Sequence, residues 1–229
     1  MPSSPVRVWD LPTRLFHWGL VAAVGGALAT AWIPGASIEW HARFGYAILA
    51  LLAFRLAWGL VGGHWSRFAV WRPTPGRVMA YLRGRAHPDD RVGHSPLGTL
   101  SVIVILIALA TQVATGLVGD DEIAFTGPLN RFVSTATGLA ATAWHKHLGK
   151  LLVIALIALH VSAILYYLLV RRNNLIGPMV HGDKPVGAEL GRPVATSRDD
   201  RRTRLLALAL ALLCAGGVAW LVRLGAGAA

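Results

Sequence analysis

The chain has 229 residues, of which 55% are hydrophobic and only 14% are charged. Most of it falls in long, continuously apolar runs, which excludes a water-soluble protein built on one apolar core and indicates a membrane protein. A β-barrel is disfavoured as well, because its strands would alternate between apolar and polar residues. The formal charge of +11 is compatible with nucleic-acid binding, but its distribution along the chain indicates membrane topology instead.

Five apolar runs are long enough to cross a bilayer as helices, for which about 20 residues are needed. They cover residues Leu15–Trp32, Ala42–Val61, Leu97–Val118, His145–Val170 and Leu205–Val222. The first run also resembles a cleavable signal peptide, because arginines precede it and Ala29-Thr30-Ala31 resembles a cleavage site. The run is longer than an ordinary signal sequence, so we expect a retained helix and an all-α membrane protein.

Lysine and arginine alternate between the loops that connect these runs. The loop after the second run holds six and the loop after the fourth holds eight, whereas the other two connections hold none and one. Because basic residues accumulate on the cytoplasmic side, this pattern places the N-terminus in the cytoplasm and the C-terminus outside. The acidic cluster at residues 120–122 falls on an outer loop and agrees with that orientation. We therefore predict no nucleic-acid partner.

The connecting segments predict how the helices are organised. A tight outer turn at residues 33–40 joins the first two runs, so these helices are expected to be antiparallel neighbours. Short helices are predicted at Pro75–Arg83, on the membrane surface, and around Pro128–Thr137. The segment Arg171–Arg202 carries glycine, proline and charge, and we expect poor order beyond Met179. The predicted organisation is a transmembrane domain over residues 1–183, a cytoplasmic linker over 184–204 and a C-terminal transmembrane helix over 205–229.

Four histidines lie at or within the apolar runs, where polar side chains are costly and usually functional. Two histidines on facing helices can hold a heme iron from both sides. By depth, His41 and His145 fall near the outer face, whereas His17 and His160 fall nearer the cytoplasm. Fifteen residues of helix separate His145 from His160, which is about 22 Å. These side chains therefore predict two stacked hemes, one outer and one inner, and a conducting path across the bilayer.

His147 competes with His145 as the outer ligand. At about 100° per residue, His145 and His160 lie roughly 60° apart around the helix, whereas His147 and His160 lie roughly 140° apart. The interior of a helix bundle lies on one side of each helix. We therefore prefer His145 and retain His147 as the alternative.

Two further residues bear on the cofactor. Arg55 lies deep in the second run, on nearly the same helix face as His41. A buried guanidinium needs an anion, and a heme propionate would serve; alternatively, the side chain extends to the nearby cytoplasmic surface. Cys214 is the only cysteine, which excludes an intrachain disulfide, an iron–sulfur cluster and a covalently attached c-type heme.

Several segments together resemble the bacterial cytochrome b561 family, which includes the cytochrome b subunit of nickel–iron hydrogenases. They are VWDLPTRLFHW, HARFGYAILALLAFRLAWGLVG, RVGHSPLG, HKHLGKLLVIALIALH and NNLIGPMVHG, within residues 6–183. The resemblance implies a four-helix bundle in the bacterial inner membrane with two b hemes, bound at the same four histidines. Ser95 stands where the family commonly has asparagine, and the fifth helix lies outside the resemblance.

A bis-histidine iron exchanges electrons and has no open site for oxygen. We therefore predict a respiratory-chain electron carrier between the quinone pool and a redox partner, which is a c-type cytochrome or a dehydrogenase or hydrogenase subunit. One alternative is a superoxide:quinone oxidoreductase, which would call for a basic funnel over the outer heme. Another is a heme-free membrane anchor, which the intact histidine set disfavours.

Overall fold

The computed structural model describes residues 4–33, 37–123, 125–186 and 193–226. Over these residues the chain is mostly helical, and five helical segments are long and apolar enough to cross a membrane. The expected number of spans is therefore confirmed for a mostly helical membrane protein. The tight turn expected between the first two spans includes residues 34–36, which lie outside the described residues.

The described residues form helices, two short strands and a π-helical turn. In chain order they are β1 (Ser4–Arg7), α1 (Leu11–Trp32), α2 (Ile38–Val61), α3 (Pro75–Leu82), α4 (Pro96–Val118), α5 (Thr135–Trp144), a π-helical turn (His145–Gly149), α6 (Lys150–Leu169), α7 (Ile176–His181), β2 (Asp183–Val186) and α8 (Arg201–Ala226). Helix α3 agrees with the predicted helix at Pro75–Arg83. The pairing of β1 with β2 was not expected from the sequence.

The fourth span begins at Thr135, one helix earlier than the predicted start at His145, because α5 continues through the π turn into α6. The Ser134 side chain caps this helix by accepting the Thr137 N–H at 3.3 Å. The separate helix expected around Pro128–Thr137 is therefore wrong. Its N-terminal part is a 3-10 turn at Asn130–Phe132, and its C-terminal part is the first turn of α5.

The fifth span also begins earlier than its apolar run. Helix α8 starts at Arg201 rather than at Leu205, because Asp200 accepts the Thr203 N–H at 2.8 Å and caps the first turn. This hydrogen bond holds the pKa of Asp200 below its usual value. Because the first turn is charged, a search for apolar residues alone places the start of this helix too late.

The chain divides into two compact units, and each of the five spanning helices contributes residues to both. The first unit comprises Met1–Leu15, Arg55–Val104 and Ala158–Leu208, and the second comprises Phe16–Phe54, Ile105–Ile157 and Ala209–Ala229. Each unit has its own cluster of buried apolar residues.

The first unit is held together by a small aromatic and aliphatic cluster and by a buried carboxylate. The cluster consists of Val6, Val8, Trp9, Trp65, Val92 and Val186. Asp10 is fully buried and accepts hydrogen bonds from Thr13 N (2.8 Å), Trp58 Nε1 (3.2 Å), Gly63 N (3.1 Å) and Ser66 Oγ (2.7 Å). A fully paired carboxylate of this kind fixes the loop after α2 against the start of α1.

The segment expected to be poorly ordered packs into the first unit where it is described. Strand β2 pairs antiparallel with β1, from Arg7↔Asp183 to Ser4↔Val186. Further along, Ser197 is buried, donates to the Val8 carbonyl at 2.7 Å and accepts the Trp65 N–H at 3.2 Å. The expectation of poor order beyond Met179 is therefore wrong for these residues, because backbone pairing and the buried Ser197 hydroxyl group hold them. Residues 187–192 lie outside the described residues.

The second unit has an apolar core to which four spanning helices contribute. Its buried members are Ala23, Val24, Ile48, Leu52, Ala108, Leu109, Val113, Leu117 and Val153, from α1, α2, α4 and α6. Helices α1 and α2 approach closely at Gly26, where an added Cβ would lie 2.5 Å from Cζ of Phe44. Large apolar side chains on the outer faces, such as Leu212 and Leu213 of α8, stay exposed, as lipid-facing residues do.

Candidate functional site

Two of the four predicted ligand histidines face each other in the second unit. His41 lies in the first turn of α2, and His145 is the first residue of the π turn. Their ring centroids are 5.9 Å apart and the ring planes are nearly perpendicular, at 83°. A metal–imidazole bond is about 2.0–2.1 Å long, so this separation leaves room for one metal ion between the rings.

Each of these two rings is oriented by a backbone carbonyl. His41 Nδ1 lies 2.9 Å from the carbonyl oxygen of Ala27, and His145 Nδ1 lies 2.9 Å from that of Gln112. A carbonyl oxygen only accepts hydrogen bonds, so Nδ1 carries the proton in both rings. In the neutral ring Nε2 is then unprotonated, which is the state that binds a metal. The arrangement is that of two histidines prepared for ligation.

A cavity of about 500 Å³ lies beside the histidine pair. Its walls are mainly apolar and come from α1, α2, α4, the segment after α4, α5, the π turn and α6. Gly116 brings α4 close to one ligand, since an added Cβ there would lie 3.1 Å from Cε1 of His145. Two cations, Lys146 and Lys150, lie on the cavity wall. A large apolar cofactor with a central metal and carboxylate groups matches these features.

The two candidates for the outer ligand, His145 and His147, differ in burial. The ring of His145 is half-buried opposite His41, whereas the side chain of His147 is exposed, although it also contributes to the cavity wall. The π turn between Trp144 and Lys150 alters the angular spacing that a regular helix would have here. The contact between His41 and His145 agrees with the preferred choice, and the identity of the iron ligand stays a prediction.

The other predicted pair falls in different units. His17 lies on α1 in the second unit, half-buried, with its ring edge-on to Trp18 at 5.0 Å between centroids. His160 lies on α6 in the first unit and is also half-buried. The pairing of these two histidines therefore rests on the sequence and stays a prediction.

Arg55 is buried in the first unit rather than extended to the surface. Its side chain is only 3% exposed, and the guanidinium carbon lies 4.8 Å from the centroid of the Phe68 ring and 5.0 Å from that of Trp71. These are cation–π contacts. Among the described residues no hydrogen-bond acceptor reaches its Nη1 atom. The guanidinium thus keeps the capacity to bind one anionic oxygen.

Sequence reasoning missed two features, one in each unit. The π turn at His145–Gly149 has no signal in a hydropathy pattern, although glycine at its end is a weak hint. The aromatic surroundings of His94, which lies 4.6 Å from Trp9 and 5.4 Å from Trp71 between ring centroids, join segments far apart in sequence. His64, in the 3-10 turn that follows α2, has a pKa lowered by burial and by nearby Arg67.

The family model for prokaryotic cytochrome b561 matches residues 8–182. The chain belongs to this cytochrome b561 family. Members are b-type cytochromes, so heme b is the cofactor and membrane electron transfer is the activity that membership implies. The residues around His41 and His145 fit that cofactor, because they combine two carbonyl-oriented imidazoles with a large apolar cavity. The chain is a bacterial membrane cytochrome.

Curated relatives of this cytochrome cover most of its length. A probable Ni/Fe-hydrogenase B-type cytochrome subunit from Azotobacter vinelandii is 26% identical over 214 residues, which are 78% of this chain and 88% of the relative. The probable Ni/Fe-hydrogenase 1 B-type cytochrome subunit of Escherichia coli strain K12 is 22% identical over 209 residues, or 76% and 88% of the two chains. No solved structure gives a significant match.

Proposed function

We propose that this cytochrome carries electrons across the bacterial inner membrane through two bis-histidine b hemes. The observation that carries the proposal is the pair His41 and His145, whose centroids are 5.9 Å apart and whose Nδ1 atoms are both bound to carbonyl oxygens. When bound there, heme supplies reversible one-electron chemistry without an open position for oxygen. The chain's own residues orient the ligands and supply mainly apolar walls.

The second heme is proposed at His17 and His160, from their matched depth and their distance from the outer pair. Along the helix, fifteen residues between His145 and His160 correspond to about 22 Å. Two hemes at two depths make a path between the membrane faces. Of the two proposed pairs, His41 and His145 lie close together within the second unit, whereas His17 and His160 belong to different units.

Positive charges near the cofactor are proposed to bind heme propionates. Lys146 is engaged by Asp121 at 3.3 Å, whereas no described carboxylate lies within ion-pair distance of Lys150. Both lysines line the outer cavity, so Lys150 is the better candidate there. Arg55, with its buried guanidinium, is proposed to serve the inner heme. Buried charged hydrogen bonds of this kind are strong because the alternative is an unpaired charge.

The electron partners are proposed from chemistry and from the relatives. Quinone in the membrane is the natural diffusible acceptor or donor for a heme at membrane depth. The relatives are named as cytochrome subunits of hydrogenases, so an iron–sulfur subunit of a hydrogenase or dehydrogenase is the proposed protein partner, with a c-type cytochrome as the other choice. The positive-inside pattern supports a cytoplasmic N-terminus and a periplasmic C-terminus.

Heme stoichiometry on the purified protein tests the proposal directly. A pyridine hemochrome assay should give two b hemes per chain, and a redox titration should resolve two midpoint potentials. His41→Ala should remove one heme and His17→Ala the other, whereas His87→Ala, in an exposed loop, should remove neither. One heme in the unaltered chain would overturn the two-heme path, and none would leave a membrane anchor as the function. Failure of a short-chain quinol to reduce the hemes would overturn the quinone assignment.

A further inference from the structure

Gln112 of α4 contacts His145 through both its main chain and its side chain. Its carbonyl oxygen accepts the His145 Nδ1–H at 2.9 Å. Its side-chain Nε2 donates to the carbonyl oxygen of His145 at 2.8 Å. The same carbonyl of Gln112 also accepts the Thr115 hydroxyl at 2.9 Å, and that hydroxyl lies 3.3 Å from His145 Nδ1. One residue thus holds both the ring and the backbone of His145.

The backbone contact matters because His145 opens a π-helical turn. Such a turn replaces the regular i→i+4 hydrogen bonds by i→i+5 bonds over a few residues, and π turns are frequent at functional sites. The side-chain amide of Gln112 supplies a donor to the first carbonyl of that turn. The irregular turn and the ring that it carries are therefore held by the same neighbour.

Gly149, the last residue of the π turn, makes room for this amide. It is buried, and an added Cβ would lie 2.2 Å from Gln112 Oε1 and 2.7 Å from Trp144 Nε1. Any larger residue would push the Gln112 side chain away from the turn. Gly149 and Gln112 therefore act together to hold His145.

We propose that Gln112 is a positioning residue, which fixes the His145 ring and thereby sets the midpoint potential of the outer heme. The inference rests on the proposed function, because it requires His145 to bind the iron. An acceptor on Nδ1–H makes an imidazole a stronger electron donor to its metal. Without the side-chain amide the turn that carries His145 is held less firmly, so its Nδ1–H should lie farther from the Gln112 carbonyl. The weaker hydrogen bond should favour the reduced iron, so the midpoint potential should rise.

Gln112→Met tests the proposal, because methionine has a similar length and lacks the amide. The outer heme, identified as the one lost in His41→Ala, should show a midpoint potential raised by about 59 mV, a tenfold change for a one-electron couple. Its low-spin electron paramagnetic resonance signal should shift too, while the inner heme keeps its potential. The matched control is Thr111→Val, an exposed neighbour on the same helix.

Gly149→Ala is the second variant, because it keeps Gln112 and displaces its side chain. It should raise the same potential, whereas Gly25→Ala, where an added Cβ meets nothing within 4 Å, should not. If Gln112→Met loses the outer heme altogether, the midpoint potential of the outer heme in Gly149→Ala decides whether the inference holds. An unchanged potential in a heme-containing variant, or an equal shift in Thr111→Val, overturns the inference alone. An unaltered chain without a heme that depends on His41 and His145 overturns the proposed function instead.

Discussion

The Nδ1 atom of His41 lies 2.9 Å from the carbonyl oxygen of Ala27, so α1 orients a ligand candidate that belongs to α2. This contact depends on how closely the two helices approach. One residue earlier, Gly26 faces the Phe44 ring without a side chain of its own. The spacing of α1 and α2 and the orientation of the His41 ring are therefore linked.

Gly26→Ala should disturb both the spacing of α1 and α2 and the orientation of the His41 ring. The new Cβ would lie 2.5 Å from Cζ of Phe44, and overpacking of this kind typically costs about 1–3 kcal/mol. We expect a lower thermal unfolding midpoint in detergent and weaker retention of the outer heme. Gly25→Ala is the matched control, because an added Cβ there meets nothing within 4 Å. Equal behaviour of the two variants would show that the close approach at Gly26 is unimportant.

Replacing each of the two neighbouring histidines by alanine separates the ligand from its alternative. His145 faces His41, whereas His147 has an exposed side chain. His145→Ala should therefore lower the heme content from two per chain to one, and His147→Ala should leave it at two. Pyridine hemochrome assays on both variants measure this. Loss of heme in His147→Ala alone would reverse the assignment.

The sequence was sufficient to predict five spanning helices and to place His41 and His145 at a similar depth, because hydropathy and depth are local properties. The depth predicted from the apolar runs places His41 and His145 at the same level of the membrane, without any knowledge of their contacts. It does not reveal the carbonyl oxygens of Ala27 and Gln112 that orient the rings, since those depend on the rotation of neighbouring helices. The π turn was missed for a related reason, because its stabilising partner, Gln112, comes from another helix.

Segments outside the spans were harder to predict. Residues 193–199 are rich in polar groups and look like a linker, yet Ser197 is buried by contacts with Val8 and Trp65, which are more than a hundred positions away. The β1–β2 pairing likewise joins the N-terminus to residues 183–186. Pairing over such separations leaves no periodic signal in either segment.

Asp10→Asn should destabilise the first unit. The carboxylate accepts four hydrogen bonds, including those from Trp58 Nε1 and Ser66 Oγ. An amide would turn its NH₂ group toward buried donors, and unsatisfied buried groups cost about 1–3 kcal/mol each. We expect a loss of about 3 kcal/mol, seen as a lower unfolding midpoint. Asp89→Asn, at a more exposed carboxylate of the following loop, should have little effect, and similar losses in both would exclude the buried network as the cause.

Arg55→Gln should lower the midpoint potential of the inner heme. The buried guanidinium stacks on Phe68 and Trp71 and lacks a hydrogen-bond acceptor at Nη1 among the described residues. A fixed positive charge beside a propionate favours the reduced, less positive iron, so removing it favours oxidation. The expected shift is on the order of 60 mV, or about 1.4 kcal/mol for a one-electron couple. A redox titration that resolves both hemes measures it.

Two further variants show whether charge or shape at residue 55 matters. Arg55→Lys keeps the charge but cannot present a planar, stacked guanidinium, so we expect an intermediate potential. Arg83→Gln removes an exposed arginine from the end of α3 and should leave both potentials unchanged, since water and salt screen exposed charges. If Arg55→Gln and Arg83→Gln shift the inner heme equally, Arg55 acts through overall charge and does not bind a propionate. If only Arg55→Gln and Arg55→Lys shift it, in that order of size, the buried guanidinium is the propionate partner.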